Sequence, residues 1–340
     1  MSLSRPARFP LLKLPFLCIE CVIKNWDIFD IIFFALSSKK ARQIVKHLKI
    51  PLNGIRIFLK YRKWIQFGFG GKIWNIERTS SQSFFREHVF VRKDALALQS
   101  YATPLYTSRT DGSLRSYTDG NEVTALKMAI EFLDEVFKCS VENVDIIDSD
   151  FPESFGVKST ETLGIRYRNS QPFVYAQNQK LSSLLKSLEV TGTCNFWVTN
   201  TETDFYCDPK LFKCRKLVFW PGSTDWVTRE ILLQFEVPRL KFDECCLSVE
   251  DIISFVTQWF HSDNKKLEYL YIKSCGKLSL EKFQTEDLNP VPFSGRTLVP
   301  LADFFGYIDF SQGLEIARHD GLQATIHVKE RAFLFYIWHL

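Results

Sequence analysis

The chain reads as a mixed α+β / α/β protein: a small three-helix unit at the N-terminus, an irregular β/α array after it, and an antiparallel β meander at the C-terminal end. Three observations predict this. Apolar residues recur at helical spacing through the first fifty residues, one strand-like pattern returns between residues 141 and 272, and plain alternation closes the chain. The 340 residues are about twice the usual domain length, and 46% hydrophobic residues with 31 Phe and 8 Trp supply ample apolar surface, which excludes a disordered chain.

In the first unit, Pro15 stands where a missing N–H costs a helix nothing, and Ile19, Val22 and Ile23 follow on one face. Asp27 and Asp30 cap or begin a second helix carrying Ile28, Ile31, Ile32 and Leu36. A third places Ala41, Ile44, Val45 and Leu48 inside and Lys39, Lys40, Arg42, Lys46 and Lys49 outside. Three short helices bury little surface alone, so such a unit needs a partner or a neighbouring domain.

Leu14-Pro15, Ile19, Val22-Ile23, Asp30-Ile31-Ile32 and Leu36-Ser37-Ser38-Lys39-Lys40 together resemble the F-box motif, over residues 8–50. Leu17 and Ala41 depart from the common pattern, which favours an acidic residue and a Trp there. The resemblance implies binding to the Skp adaptor of an SCF (Skp, cullin, F-box) ubiquitin ligase and, through it, to a cullin. It assigns adaptor contacts to Leu14, Pro15, Ile19, Val22, Ile23, Asp30, Ile31, Leu36, Ser38 and Lys39.

Residues 55–340 form the second region. Between Ile55 and Glu77, alternation predicts two or three strands, with Gly68, Gly70 and Gly71 as bends and no Lys-Ser/Thr to make a phosphate loop. Residues 100–121 are turn-rich and read as a loop. An apolar-x-x-apolar-x-apolar pattern then occurs at Val141-Val144-Ile146, Leu185-Leu188-Val190, Cys214-Leu217-Phe219, Val237-Leu240-Phe242 and Leu267-Leu270-Ile272. Its middle residues are spaced 44, 29, 23 and 30 apart, the later three near a leucine-rich-repeat period. Helical patterns at 119–137, 228–235 and 248–260, the last with a Ser248/Asp251 capping box, supply the crossovers that parallel strands need. The expectation is a curved parallel sheet with helices outside. Residues 312–340, with a turn at His319-Asp320-Gly321, form a β cap over its open edge.

Residues 181–275, including FWVTN, CDPKLFKCRKLVFW and LEYLYIKSC, are similar to the F-box-associated type 2 domain common in the expanded F-box families of nematodes. In that setting the second region recruits a target protein. Interface anchors favour Trp, which singles out Trp197, Trp220 and Trp226 as target contacts, although core packing is an alternative for each.

Charge and cysteine usage bound the remaining classes. A net charge of +4 is too small for a nucleic-acid binder as a whole, although residues 1–65 carry 13 basic and three acidic groups and stand at +10. Nine cysteines, an odd number without a regular framework, predict reduced thiols in cytoplasm or nucleus. Lys13, Glu20, Pro10 and Pro15 interrupt a signal-peptide pattern, and the apolar run Ile31 to Leu36 is far below the roughly 20 residues of a membrane helix. Cys18-x-x-Cys21 lacks a second ligand pair for zinc and reads as two small buried thiols on a helix, while Cys245-Cys246 turns one side chain inward. No local nucleophile signature accompanies His261, His319, His327 or His339.

The reading is therefore a non-catalytic substrate receptor without cofactor or metal, with the adaptor and an unknown target protein as partners and no nucleic acid or membrane. A repeat-type interaction scaffold without a ubiquitin role is the alternative, and a cytosolic α/β hydrolase is a third.

Overall fold

Short polar caps start the second and third N-terminal helices. In the computed structural model, helix α1 (Phe16–Lys24) follows Pro15 and buries Ile19 and Ile23. Asp27 accepts the Phe29 N–H at 2.8 Å and opens α2 (Ile28–Ser37). Ser38 accepts the Ala41 N–H at 3.1 Å and opens α3 (Lys39–Leu48), which ends at Lys49 in the left-handed region. The structure describes residues 11–68, 71–78, 96–97, 106–110, 113–118, 121–147, 152, 155–167, 175–199, 206–294, 298–301 and 306–339.

The chain divides into two compact units, the first comprising residues 1–58, 62–142 and 155–157. After α3 come β1 (Pro51–Leu59), β2 (Lys63–Phe67), β3 (Lys72–Arg78), β4 (Leu96–Ala97), β5 (Tyr106–Thr110) and β6 (Ser113–Thr118), side by side in the order β1-β2-β3-β6-β5-β4. Helix α4 (Glu122–Val136) starts where Asn121 accepts the Val123 N–H. The three N-terminal helices share this unit because their apolar and aromatic groups pack into it. Phe29 meets Phe67 edge-on at 5.8 Å, and the Arg42 guanidinium lies 5.3 Å from the Phe132 ring centre, with Glu135 3.8 Å from Arg42. The compact unit thus extends well past residue 50.

The turn-rich stretch 100–121, expected as a loop, instead forms the antiparallel pair β5–β6 where it is described. Two of the three inward residues of β6 are polar, the third being Leu114. Ser116 and Thr118 are fully buried, and Ser116 accepts the Trp74 indole N–H at 2.8 Å, so the strand carries no strong apolar alternation.

The second unit comprises residues 59–61, 143–154 and 158–340. It contains the end of β7 (Lys138–Ile147), then β8 (Ser159–Tyr167), α5 (Tyr175–Ser187), β9 (Glu189–Val198), β10 (Lys216–Phe219), α6 (Arg229–Leu232), β11 (Arg239–Cys245), α7 (Val249–Phe260) and β12 (Tyr269–Ser274). Next come β13 (Val291–Pro292), β14 (Leu298–Leu301), β15 (Gly306–Asp309), β16 (Leu314–Ala317), β17 (Gln323–Lys329) and β18 (Ala332–Trp338). Strands β7 to β12 pair in parallel in chain order, and β18 pairs antiparallel with β12. Strands β17, β16 and β13 continue antiparallel beyond it, while β14 and β15 form a separate hairpin.

Two rows of buried residues cross the parallel strands. One is Val144, Leu163, Cys194, Leu217, Leu240 and Leu270; the other is Ile146, Ile165, Phe196, Phe219, Phe242 and Ile272. Phe212, Trp226 and Phe235 pack on the central phenylalanines, and Trp259 of α7 meets Phe335, so the helices cover this face. The first, third, fourth and fifth copies of the sequence pattern fall on or enter these rows. The second does not. Leu185 lies in the last turn of α5, Leu188 precedes β9, and the residues in register are Cys194 and Phe196. Strand β8 lies inside the 44-residue interval, so the row positions are 19, 31, 23, 23 and 30 residues apart and the array is irregular.

Candidate functional site

Because strand side chains alternate, the residues that flank the buried rows along each strand project from the opposite face of the sheet. At the C-terminal ends of β8, β9 and β10 these are Arg166, Trp197 and Trp220. The two indoles stack with ring centres 5.5 Å apart and planes 18° apart, and the Trp220 N–H points to Asn195 Oδ1 at 3.4 Å. Trp220 itself is held by its backbone N–H, which donates to the Phe196 carbonyl. Both rings are half-buried.

Two residues back along the strands lie Asp145, Gly164, Asn195, Val218, Lys241 and Tyr271, in register. Asp145 accepts from the Asn143 amide at 2.6 Å and pairs with Arg166 at 3.5 Å. Its carboxylate lies across Gly164, where a Cβ would collide with it, so the absence of a side chain at 164 is what lets Asp145 reach Arg166. The Lys241 ammonium sits 5.5 Å from the Tyr271 ring centre, within cation–π range. Burial, then the Asp243 charge, push Tyr271 above the usual phenol range, so the hydroxyl stays neutral. Lys273 pairs with Asp243 at 3.6 Å and Glu244 at 3.7 Å. Paired charges beside flat aromatic rings suit recognition of a protein surface, where aromatic and Arg side chains dominate binding energy.

The target-contact candidates therefore separate. Trp197 and Trp220 stack on this face, whereas Trp226 is 7% exposed, packs against Phe196 and Phe219 in the helix-covered core, and donates its indole N–H to the Ser223 carbonyl. The loop holding Trp226 folds back over the first face, and core packing explains it. Arg166, Asp145, Lys241 and Tyr271 were not singled out in the sequence. The alternation of Leu163, Ile165 and Tyr167, in the longest of the four intervals, is the signal that finds the first of them.

The adaptor-contact candidates separate as well. Ile19, Ile23, Ile31 and Leu36 are at most 6% exposed and form the core of the first unit. Leu14, Val22 and Asp30 are half-buried, and Ser38 is occupied as the cap of α3. Pro15 and Lys39 are exposed. The apolar surface of this segment is instead Leu12, Phe16 and Leu17, with Leu17 72% exposed. Spacing identifies which residues share a stripe, but not whether that stripe faces the chain's own core. The basic face of α3 is partly neutralised, since Arg42 and Lys46 both approach Glu135.

Cys18 and Cys21 are exposed, not buried as expected, because the inward stripe of α1 runs through Ile19 and Ile23. Cys245 is buried and Cys246 exposed. Burial pushes Cys207 and Cys214 up to about 12, so both remain neutral thiols in the core. Among the described residues, no three His, Cys, Asp or Glu side chains gather as metal ligands, and no helix is long and apolar enough to cross a membrane.

Comparison with known proteins places a family on this sheet. The F-box associated family FBA_2 matches residues 210–272, from the turn before β10 to β12, inside the range 181–275 and away from residues 8–50. An uncharacterised protein of Caenorhabditis elegans is 23% identical over 345 residues, covering 93% of this chain and 74% of its own length. The E3 ubiquitin-protein ligase hecw-1 of the same organism is 22% identical over 303 residues, covering 81% of this chain. This chain spans about a quarter, 23%, of that ligase's length. No solved structure matches at a significant level. The second unit thus contains an F-box-associated domain of mixed α/β structure.

Proposed function

We propose that this protein is a substrate-receptor subunit of an SCF-type ubiquitin ligase. The F-box-associated match at 210–272, on the unit whose sheet face carries the stacked Trp197 and Trp220, is the observation that supports it most. On this reading the N-terminal helices dock on the Skp adaptor and through it on a cullin. The second face of the sheet holds a target protein, and the chain catalyses nothing itself. Its contribution is proximity, which brings the target's lysines to ubiquitin carried by the rest of the ligase. The named ubiquitin ligase among the relatives is consistent with that setting.

The adaptor surface is the exposed apolar edge Leu12, Pro15, Phe16 and Leu17, since a cluster of large exposed apolar residues marks an interaction site. Co-expression with a Skp adaptor followed by size-exclusion chromatography tests this. A one-to-one complex is expected for the native chain and none for Phe16→Asp with Leu17→Asp, whose side chains contribute little to the core. Equal complex formation by the double variant, with an unchanged circular dichroism spectrum, overturns the assignment. Ile23→Asp is unsuitable as a test, because Ile23 is fully buried and its loss would unfold the unit.

A further inference from the structure

We infer that Cys246 and Cys275 form an oxidisable dithiol, a modification site that a hydroperoxide converts to a disulfide across the ends of β11 and β12. Their sulfurs lie 3.0 Å apart, and both residues are exposed.

A β-bulge creates the pair. Up to Asp243, opposite Lys273, the two parallel strands run in regular register. Glu244 then takes a left-handed conformation, φ 68°, and drops out of the pairing, so that Cys245 faces Ser274. The Thr224 hydroxyl donates to the Glu244 carbonyl at 2.7 Å and holds the bulge, and the Cys275 N–H donates to the Cys245 carbonyl at 3.1 Å. Unbroken register would set Cys275 opposite Cys245, which is buried. The extra residue sets it beside Cys246, which is not. Adjacent strands lie about 4.8 Å apart, inside the Cα separation of about 4.4–6.8 Å that a disulfide spans, so closure needs only a small sulfur movement. The Cys275 hydrogen bond, then burial, hold Cys246 above the ordinary thiol value.

Other thiols are poorer candidates. Cys194, Cys207, Cys214 and Cys245 are buried. Cys18 and Cys21 are exposed but sit three apart on α1, where Cβ atoms are about 5–6 Å apart against about 3.5–4.5 Å in a disulfide.

The chemistry balances with one hydroperoxide. One thiolate attacks a peroxide oxygen, the O–O bond breaks, and hydroxide leaves a sulfenic acid on that sulfur. The second thiolate attacks the same sulfur, forming the S–S bond and expelling hydroxide. With the two thiol protons, hydrogen peroxide yields two waters, and each sulfur has lost one electron. Two molecules of a small thiol such as glutathione reverse the bond by successive exchange through a mixed disulfide and leave as their own disulfide. The closed disulfide ties the first residue after β11 to the first residue after β12.

The full chain, treated with hydrogen peroxide, alkylated and digested, tests this by peptide mass. The expected product is one linked peptide pair containing Cys246 and Cys275, lighter by two hydrogens and released by dithiothreitol. Cys246→Ser and Cys275→Ser should each abolish the link and leave a sulfenic acid on the remaining partner that dimedone traps. Because both side chains are exposed, the serine variants keep the fold. Independent oxidation of the two cysteines to sulfinic acid, or a link from either one to another cysteine or another copy, overturns the proposal. The result does not depend on adaptor binding.

Discussion

On one face of β8 to β12, the rows through Leu217 and Phe219 are at most 1% exposed from Leu163 to Ile272, and one residue along the same strands the other face carries Arg166, Trp197, Lys241 and Lys273. The strands are shared, so backbone pairing cannot account for the difference. The helix-covered face packs aliphatic and aromatic side chains against one another. The other keeps its charges paired, Arg166 with Asp145 and Lys273 with Asp243, and its aromatic rings half in water. Substitutions should therefore cost stability on the first face and recognition on the second.

The largest effect is expected at Phe219, which is fully buried, stacks on Phe242 at 5.0 Å and meets four other aromatic rings. Phe219→Ala should cost about 3–5 kcal/mol in chemical denaturation. A loss below about 1 kcal/mol would mean that the face tolerates a cavity and is no core. Gly164→Ala comes next. Its methyl meets the Asp145 carboxylate, held in place by Asn143, and the expected cost is about 1–3 kcal/mol with the Arg166 pair disturbed. Full stability at this position would show that Asp145 rearranges freely.

Trp220→Ala should lower stability by only about 1 kcal/mol, since the ring is half-buried and its main partner is Trp197. On the proposed function it should lower target recovery from lysates in proximity labelling far more than Trp226→Phe does. The reverse ranking would move the binding surface away from this face. The smallest effect is a pH dependence at His327. Burial and then Lys329 hold it below the ordinary imidazole value against the opposing charge of Asp309. The folded chain therefore prefers the neutral ring. This contribution is complete above about pH 6.5 and declines as pH falls toward the lower folded value. Thermal melts between pH 7.5 and 5 should show that slope, and His327→Gln should flatten it.

Several elements were legible in the sequence because local chemistry specifies them. Asp27 and the Ser248/Asp251 box start helices as their spacing implies. The alternation of Leu217 with Phe219 and of Leu240 with Phe242 marks strands that become neighbours. The final meander follows from alternation and the turn at 319–321. Strand β8 escaped notice because its inward Thr160, Leu163 and Ile165 are shared out among Thr, Glu and Gly. Strand β6 escaped because its inward Ser116 and Thr118 are satisfied by burial and hydrogen bonding instead of apolar contact.

By itself, the sequence determined the classes of element, their order and the parallel crossovers, since caps, periodicity and connection length are local properties of the chain. Tertiary packing alone decided which apolar residues remained available. It drew Ile19, Ile23, Ile31, Leu36 and Trp226 into cores and left Phe16 and Leu17 outside. It also stacked Trp197 on Trp220 and set Cys246 beside Cys275. These outcomes depend on register and on which face is covered, and both arise from contacts between residues distant along the chain.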